Sequence, residues 1–171
     1  KLVNSTFDSS KIRLNINNEI DYNNDNLTGL FEILFVNKNT SLSYTIKKES
    51  LVFNSDESGN DYNGVIEFKP FYLLANFNYD GLSTKNLFND DSIAVDLIKS
   101  EIIKNRNLNT NINLNVKNIT NIDELNNLNL KLAIEQGELV FSESNIMWKE
   151  AIKITLNESL LNYDNDQIDL V

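Results

Sequence analysis

The chain contains no cysteine and no histidine among its 171 residues. Without cysteine it cannot form disulfide bonds or use a thiolate as a nucleophile or metal ligand. Without histidine it lacks the common ligand of zinc, copper and haem and the base of Ser-His and Cys-His catalytic pairs. The absence of cysteine does not place the protein in the cytosol, because many envelope proteins also lack it.

Turn-forming residues are also scarce, with one proline and five glycines. Asparagine and aspartate tolerate the left-handed backbone region, so we expect them to occupy most tight turns. The one proline, Pro70, cannot donate a ladder hydrogen bond. It therefore predicts an edge position or a β-bulge within one long strand from Val65 to Tyr79.

No apolar run is long enough to cross a bilayer as a helix, and no signal peptide is visible. The chain starts at Lys1 and stops at Val171 within an apparent strand. We therefore interpret residues 1–171 as a single β-rich domain excised from a longer polypeptide, so the absence of a membrane anchor from this sequence is uninformative.

Cationic residues are outnumbered, which gives a net charge of −10 and a sequence pI of about 4.4. Nucleic-acid binding needs clustered lysine and arginine, so the composition argues against DNA or RNA as partners. For the same reason it argues against electrostatic docking on anionic lipid headgroups.

Asparagine alternates with other residues between Asn105 and Val116. Every odd-numbered residue from Asn105 to Asn115 is asparagine, and the even-numbered residues from Leu108 onward are mainly apolar. Side chains of a β-strand point to alternate faces, so this segment predicts a strand with one polar and one apolar face. We interpret the asparagines as a solvated face and the apolar row as the informative one.

Similar alternation recurs along most of the chain, and the last third predicts short strands with turns about every 8–12 residues. One segment departs from it: from Asp90 to Lys104 the apolar residues fall on one helical stripe behind a capping aspartate. The predicted fold is therefore mainly β, a curved antiparallel sheet forming a groove or half-barrel, with one covering α-helix near 90–104.

Carboxylates and amides occur at one calcium-loop spacing, at Asp21, Asn23, Asp25 and Glu32. The oxygen ligands suit calcium, but Asn26 stands where the loop needs glycine and a strand pattern precedes it. An asparagine-rich turn fits this segment better than a metal site. No other metal or cofactor site is predicted, and no catalytic residues can be chosen.

An aromatic cluster could contact sugar or lipid, although core packing is the simpler interpretation. Its members are Phe68, Phe71, Tyr72, Phe77 and Tyr79.

The order of elements from about residue 65 onward resembles the AsmA-like family of bacterial envelope proteins, which includes TamB-type and related bridge-like lipid transporters. Residues 1–64 add no specific match. The segments that carry the resemblance are Phe68-Lys69-Pro70-Phe71-Tyr72-Leu73, the helix and alternating strand after it, Gly137-Glu138-Leu139-Val140-Phe141, Ile146 to Trp148, Ile152-Lys153-Ile154-Thr155-Leu156, and Tyr163 followed by Ile168-Asp169-Leu170-Val171.

This resemblance implies a non-enzymatic protein anchored in the inner membrane, with most of its chain on the periplasmic side. It implies a role in phospholipid transport or outer-membrane assembly, with phospholipid acyl chains as partners and envelope membranes reached through regions outside this chain. Alternating strands would supply a continuous apolar lining at every second residue. The candidate lining residues are Leu73, Ala75, Phe77, Ile112, Leu114, Val116, Leu128, Leu130, Leu132, Ile152, Ile154 and Leu156.

Two other interpretations stay open. The same residues could form the ordinary core of a β-sandwich or β-solenoid module for adhesion or carbohydrate binding in a secreted or surface protein. A hydrolase would instead need two carboxylates converging in a cleft, about 5–9 Å apart.

Overall fold

The computed structural model describes residues 2–8, 12–21, 26–35, 38–55, 60–83, 103–164 and 167–171. Within these ranges the chain forms fourteen β-strands in one sheet. The strands are β1 (Leu2–Asp8), β2 (Ile12–Asp21), β3 (Asn26–Phe35), β4 (Lys38–Ile46), β5 (Ser50–Ser55), β6 (Asn60–Phe68), β7 (Phe71–Leu82), β8 (Asn109–Ile119), β9 (Leu125–Glu135), β10 (Glu138–Phe141), β11 (Ser144–Trp148), β12 (Ile152–Leu156), β13 (Ser159–Asp164) and β14 (Gln167–Leu170).

The sheet is open, and its strands mostly follow one another in chain order. β9 has β8 on one side, and on the other side it pairs with β10 along one half and with β11 along the other half. The prediction of a mainly β fold is thereby confirmed. No helix is found among the described residues. Residues 84–102 lie outside the described ranges, and they include most of the helix predicted near 90–104. Residues 103 and 104, at the end of that prediction, form a turn.

One strand pair departs from the predicted antiparallel arrangement. β7 and β8 are parallel, with Ala75 opposite Ile112 and Phe77 opposite Leu114. A parallel pair needs a long crossover connection, and the residues between Leu82 and Asn109 supply it. The prediction of a wholly antiparallel sheet was wrong at this pair, because alternation within a strand does not encode the direction of its neighbour.

Pro70 lies in a hairpin turn rather than inside a strand. The peptide bond between Lys69 and Pro70 is cis, and Phe68 pairs directly with Phe71 across the turn. The predicted single strand from Val65 to Tyr79 is therefore two antiparallel strands. The change of alternation at Pro70 reflects chain reversal, not a bulge.

Turns within the described residues use long polar side chains more than asparagine. Six non-glycine residues have positive φ angles, and only one of them is asparagine. They are Asn127, Gln136, Glu143, Lys149, Glu150 and Glu158. Gln136 and Gly137 form a two-residue hairpin turn with positive φ at both positions, the geometry that matches strand twist.

The hydrophobic core lies on one face of β3–β8. Tyr44, Phe53 and Ala75 are its buried centre, and the ring of Phe31 stacks on Tyr44 with centroids 4.0 Å apart. Phe53 covers Gly64 on the neighbouring strand so closely that a Cβ there would clash with the ring. Large and small residues thus alternate across the strands, which fills the face of a single sheet.

Candidate functional site

All twelve predicted lining residues lie on one face of the sheet. Ala75 pairs with Ile112, which in turn pairs with Leu132. Partners directly opposite one another share a face, and so do residues two apart in the same strand. The members on β7, β8 and β9 therefore form one surface. On β11, Asn145 pairs with Asn129 of the opposite face, so its neighbour Ile146 and the partner Ile154 lie on the apolar face, and the other two members on β12 follow by alternation.

Burial on this apolar face falls from the centre of the sheet toward β12. Ala75 and Val116 are buried, whereas Ile154 is 51% exposed. Ile152 and Trp148, beside it at the same end of the sheet, are also exposed. The most exposed part of the apolar face is thus the β11–β12 hairpin, and the central strands are half-buried or buried.

The opposite face carries rows of hydrogen-bonded asparagines. Asn113 donates its side-chain amide to Asn76 Oδ1 at 2.8 Å, and Asn76 donates to Asn63 Oδ1 at 2.9 Å. These three residues are paired directly across β6, β7 and β8. The amide of Asn76, at the centre of the row, therefore donates to one neighbouring strand and accepts from the other.

A second row runs beside the first. Asn129 donates to Asn115 Oδ1 at 2.6 Å, Asn115 donates to Asn78 Oδ1 at 2.8 Å, and Asn78 reaches Asp61 Oδ2 at 3.4 Å. Asn111, Asn113 and Asn115 are only partly exposed. The interpretation of this asparagine row as a solvated face did not include these lateral hydrogen bonds, because lateral partners become visible only once the strand register is known.

An open depression of about 460 Å³ continues the polar face over β9, β11 and β12. Its lining residues are Asn129, Lys131, Glu143, Asn145, Lys153, Thr155 and Asn157. Lys131 Nζ lies 2.5 Å from Glu143 Oε2. This hydrogen bond and the nearby ammonium charge lower the pKa of the Glu143 carboxyl. The depression offers amide, hydroxyl and charged groups without an apolar wall.

Ser144 stabilises the interruption between β10 and β11. It is buried, and its Oγ accepts a hydrogen bond from the Lys131 backbone N at 3.0 Å and lies 3.3 Å from the Lys131 carbonyl oxygen. Its hydroxyl thereby replaces a backbone partner where the ladder changes register. The sequence contains no motif that would have singled out this serine.

Thr110 is the exception in the apolar row of β8. It is buried opposite Leu73 and Ile134, and its hydroxyl has no hydrogen-bond partner among the described residues. The sequence pattern placed it on the apolar face, but nothing marked it as unsatisfied.

Some members of the aromatic cluster pack against other rings, as core packing requires, and others are exposed, as contact with a ligand would require. Phe77 and Tyr79 pack against Tyr62, with ring centroids 5.8 and 5.0 Å apart. Tyr72 instead accepts a hydrogen bond from Asn111 Nδ2 at 2.6 Å. Phe68 and Phe71 are exposed beside the β6–β7 turn.

The calcium-loop candidates are not gathered into one site by the described residues. Asp21 ends β2 opposite Asn26, and Glu32 lies six residues further along β3, about 20 Å at the rise of a strand. Asn23 and Asp25 lie outside the described ranges. Among described residues, no cluster of three acidic side chains could hold a metal ion.

Comparisons with protein-family models, curated proteins and solved structures found no match to this chain. The resemblance to the AsmA-like family therefore stays a prediction. Among the described residues, no helix has the length and apolar character needed to span a membrane.

Proposed function

We propose that this chain is a non-enzymatic segment of a periplasmic, inner-membrane-anchored protein that moves phospholipid or assists outer-membrane assembly. Its apolar face would form one wall of a groove for acyl chains. The observation that carries the proposal is the gathering of all twelve lining residues on one face of an open sheet. The opposite face is amide-rich, so the molecule offers acyl chains a single side.

The exposed β11–β12 hairpin is the part of this face available to a ligand. An acyl chain needs continuous apolar contact and no specific hydrogen bonds. Trp148, Ile152 and Ile154 supply such contact on adjacent strands. Covering them would remove apolar surface from water, worth about 25 cal/mol per Å².

Binding of a fluorescent fatty acid to I152N/I154N tests the proposal. We expect affinity to fall about tenfold or more, because two apolar contacts become polar. The matched control is L30N/L74N, since Leu30 and Leu74 are comparably exposed at 46% and 37% on the opposite face. Equal loss in both variants, or no loss in either, would contradict acyl binding on the apolar face.

Carbohydrate binding is the second candidate, and the polar depression favours it. Side chains such as Asn129, Asn145 and Thr155 present donors and acceptors to one space, as a polyhydroxylated ligand requires. A glycan array with N145A/T155A as the comparison tests it. Glycan binding that this variant abolishes and I152N/I154N preserves would favour the polar face.

A further inference from the structure

Three neighbouring connections meet at one end of the sheet. They are the β4–β5 turn (47–49), the β6–β7 turn (69–70) and the segment that leads into β8 (103–107). The backbone N of Phe68 donates to the Glu49 carbonyl at 2.9 Å, which joins the first two. Tyr72 pairs with Asn109, which brings the third beside the second. All three connections lie within the four strand spacings from β4 to β8, a distance of about 20 Å.

These ten residues carry a charge opposite to that of the chain. Five of the protein's 15 lysines and arginines lie in them, with Glu49 as the one carboxylate, and the exposed Glu67 lies beside them next to Phe68. The five are Lys47, Lys48, Lys69, Lys104 and Arg106, and all are exposed. None forms an ion pair within the described ranges. We name this set, together with Phe68 and Phe71, the cationic end.

Two phenylalanines accompany these charges. Phe68 is 41% exposed and Phe71 is 37% exposed, on either side of the Lys69–Pro70 turn. Tyr62, in the same strand as Phe68, is buried by contrast. An exposed aromatic pair among lysines is the combination found on surfaces that enter the interfacial layer of a bilayer.

We propose that the cationic end docks on the surface of an anionic phospholipid bilayer. The five cations lie against the headgroups, and Phe68 and Phe71 enter the interfacial layer. The net charge of −10 would argue against such docking if the charges were spread evenly over the protein. They are not, because five of the cations are clustered at this end of the sheet. Glu135 and Glu138 flank the next turn and limit the surface on that side. The proposal is independent of acyl binding on the apolar face.

Sedimentation with vesicles of phosphatidylcholine, with and without phosphatidylglycerol, tests the electrostatic part. The protein should bind only the anionic vesicles, and binding should weaken as salt rises from about 0.1 M to about 0.5 M. K48Q/K69Q should lower the affinity about thirtyfold. Equal binding to both vesicle types, or no loss in the variant, overturns the proposal.

The control is K117Q/K149Q, which removes the same charge from the opposite end of the sheet. Lys117 lies near the end of β8, and Lys149 follows β11. This variant should bind anionic vesicles as the unmodified protein does. A loss equal to that of K48Q/K69Q would show that overall charge governs binding, which overturns the proposed surface.

Depth-dependent quenching tests the orientation. Trp148, the protein's one tryptophan, pairs with Leu125 at the end of the sheet remote from Phe71. In I152N/I154N, which lacks the acyl contacts of the β11–β12 hairpin, brominated lipid in anionic vesicles should leave Trp148 unquenched. In F71W/W148F, the new tryptophan should be quenched and its emission should shift to the blue. Quenching at position 148 but not at position 71 overturns the proposal. Fatty-acid binding, measured in parallel, tests acyl binding on the apolar face independently of bilayer docking.

Discussion

Asn115 acts as both donor and acceptor at the centre of an amide row. Its amide donates to Asn78, and its carbonyl accepts from Asn129. Asn115→Ala leaves two partly buried amides unpaired, so we expect the free energy of unfolding to fall by about 1–3 kcal/mol. Urea denaturation measures the change.

Asn107→Ala is the matched control for Asn115→Ala. Asn107 is exposed, and the one hydrogen bond it shares with a described side chain uses its backbone N. The control should change stability by less than about 0.5 kcal/mol. Similar values for the two variants would show that the amide rows do not stabilise the sheet.

Tyr79 makes stability depend on alkaline pH. Burial raises the pKa of its hydroxyl, and a hydrogen bond with Tyr62 partly offsets the rise. A tyrosine in the unfolded chain ionises near pH 10, before the folded one does. The contribution of Tyr79 to the free energy of unfolding is therefore present in full below about pH 10, and it is lost as the pH rises through the pKa of the folded state.

Urea midpoints measured from about pH 8 to about pH 11 check this dependence. Tyr79→Phe removes one titrating group, so its stability should fall less steeply above about pH 10 than that of the unmodified protein. Every other ionisable group is common to both proteins, so the difference between the two curves isolates Tyr79. Parallel curves would contradict the expected linkage.

The β10–β11 interruption depends on Ser144 as a substitute for a ladder partner. Ser144→Ala removes the acceptor of the Lys131 backbone N–H, which should cost about 1–3 kcal/mol. Hydrogen exchange at the Lys131 amide should accelerate. Ser142→Ala, two residues away, keeps that acceptor and serves as control. Unchanged exchange at Lys131 in Ser144→Ala would show that the hydroxyl is dispensable.

Elements and their faces could be predicted from alternation, whereas partners could not. The strand after Asn107 and the shared face of Ile112, Leu114 and Val116 follow from period two alone. Strand direction and lateral neighbours depend on pairing across the crossover, which leaves no mark inside either strand. This is why the sequence missed the parallel β7–β8 pair and the hydrogen bonds of the amide rows.

The whole molecule combines three chemically different surfaces, which the overall amino-acid composition and net charge do not reveal. One face is apolar, the other is rich in amides, and one end is cationic despite the net charge of −10. The cationic end and the exposed β11–β12 hairpin lie at opposite ends of the sheet, so an anionic bilayer and an acyl chain would not compete for one surface. The exposed apolar residues of β12 also make this strand a site at which two copies of the chain could associate.

β12 is an open edge within the described sheet, because it pairs there with β11 alone. Lys153 is the charged residue between the exposed Ile152 and Ile154, and edge lysines disfavour pairing with another chain. Lys153→Val should therefore promote concentration-dependent association, seen as a rise in mass by light scattering. Lys131→Val, on the interior strand β9, should have the same mass as the unmodified protein at every concentration. Unchanged mass for Lys153→Val at high concentration would show that its charge does not protect this edge.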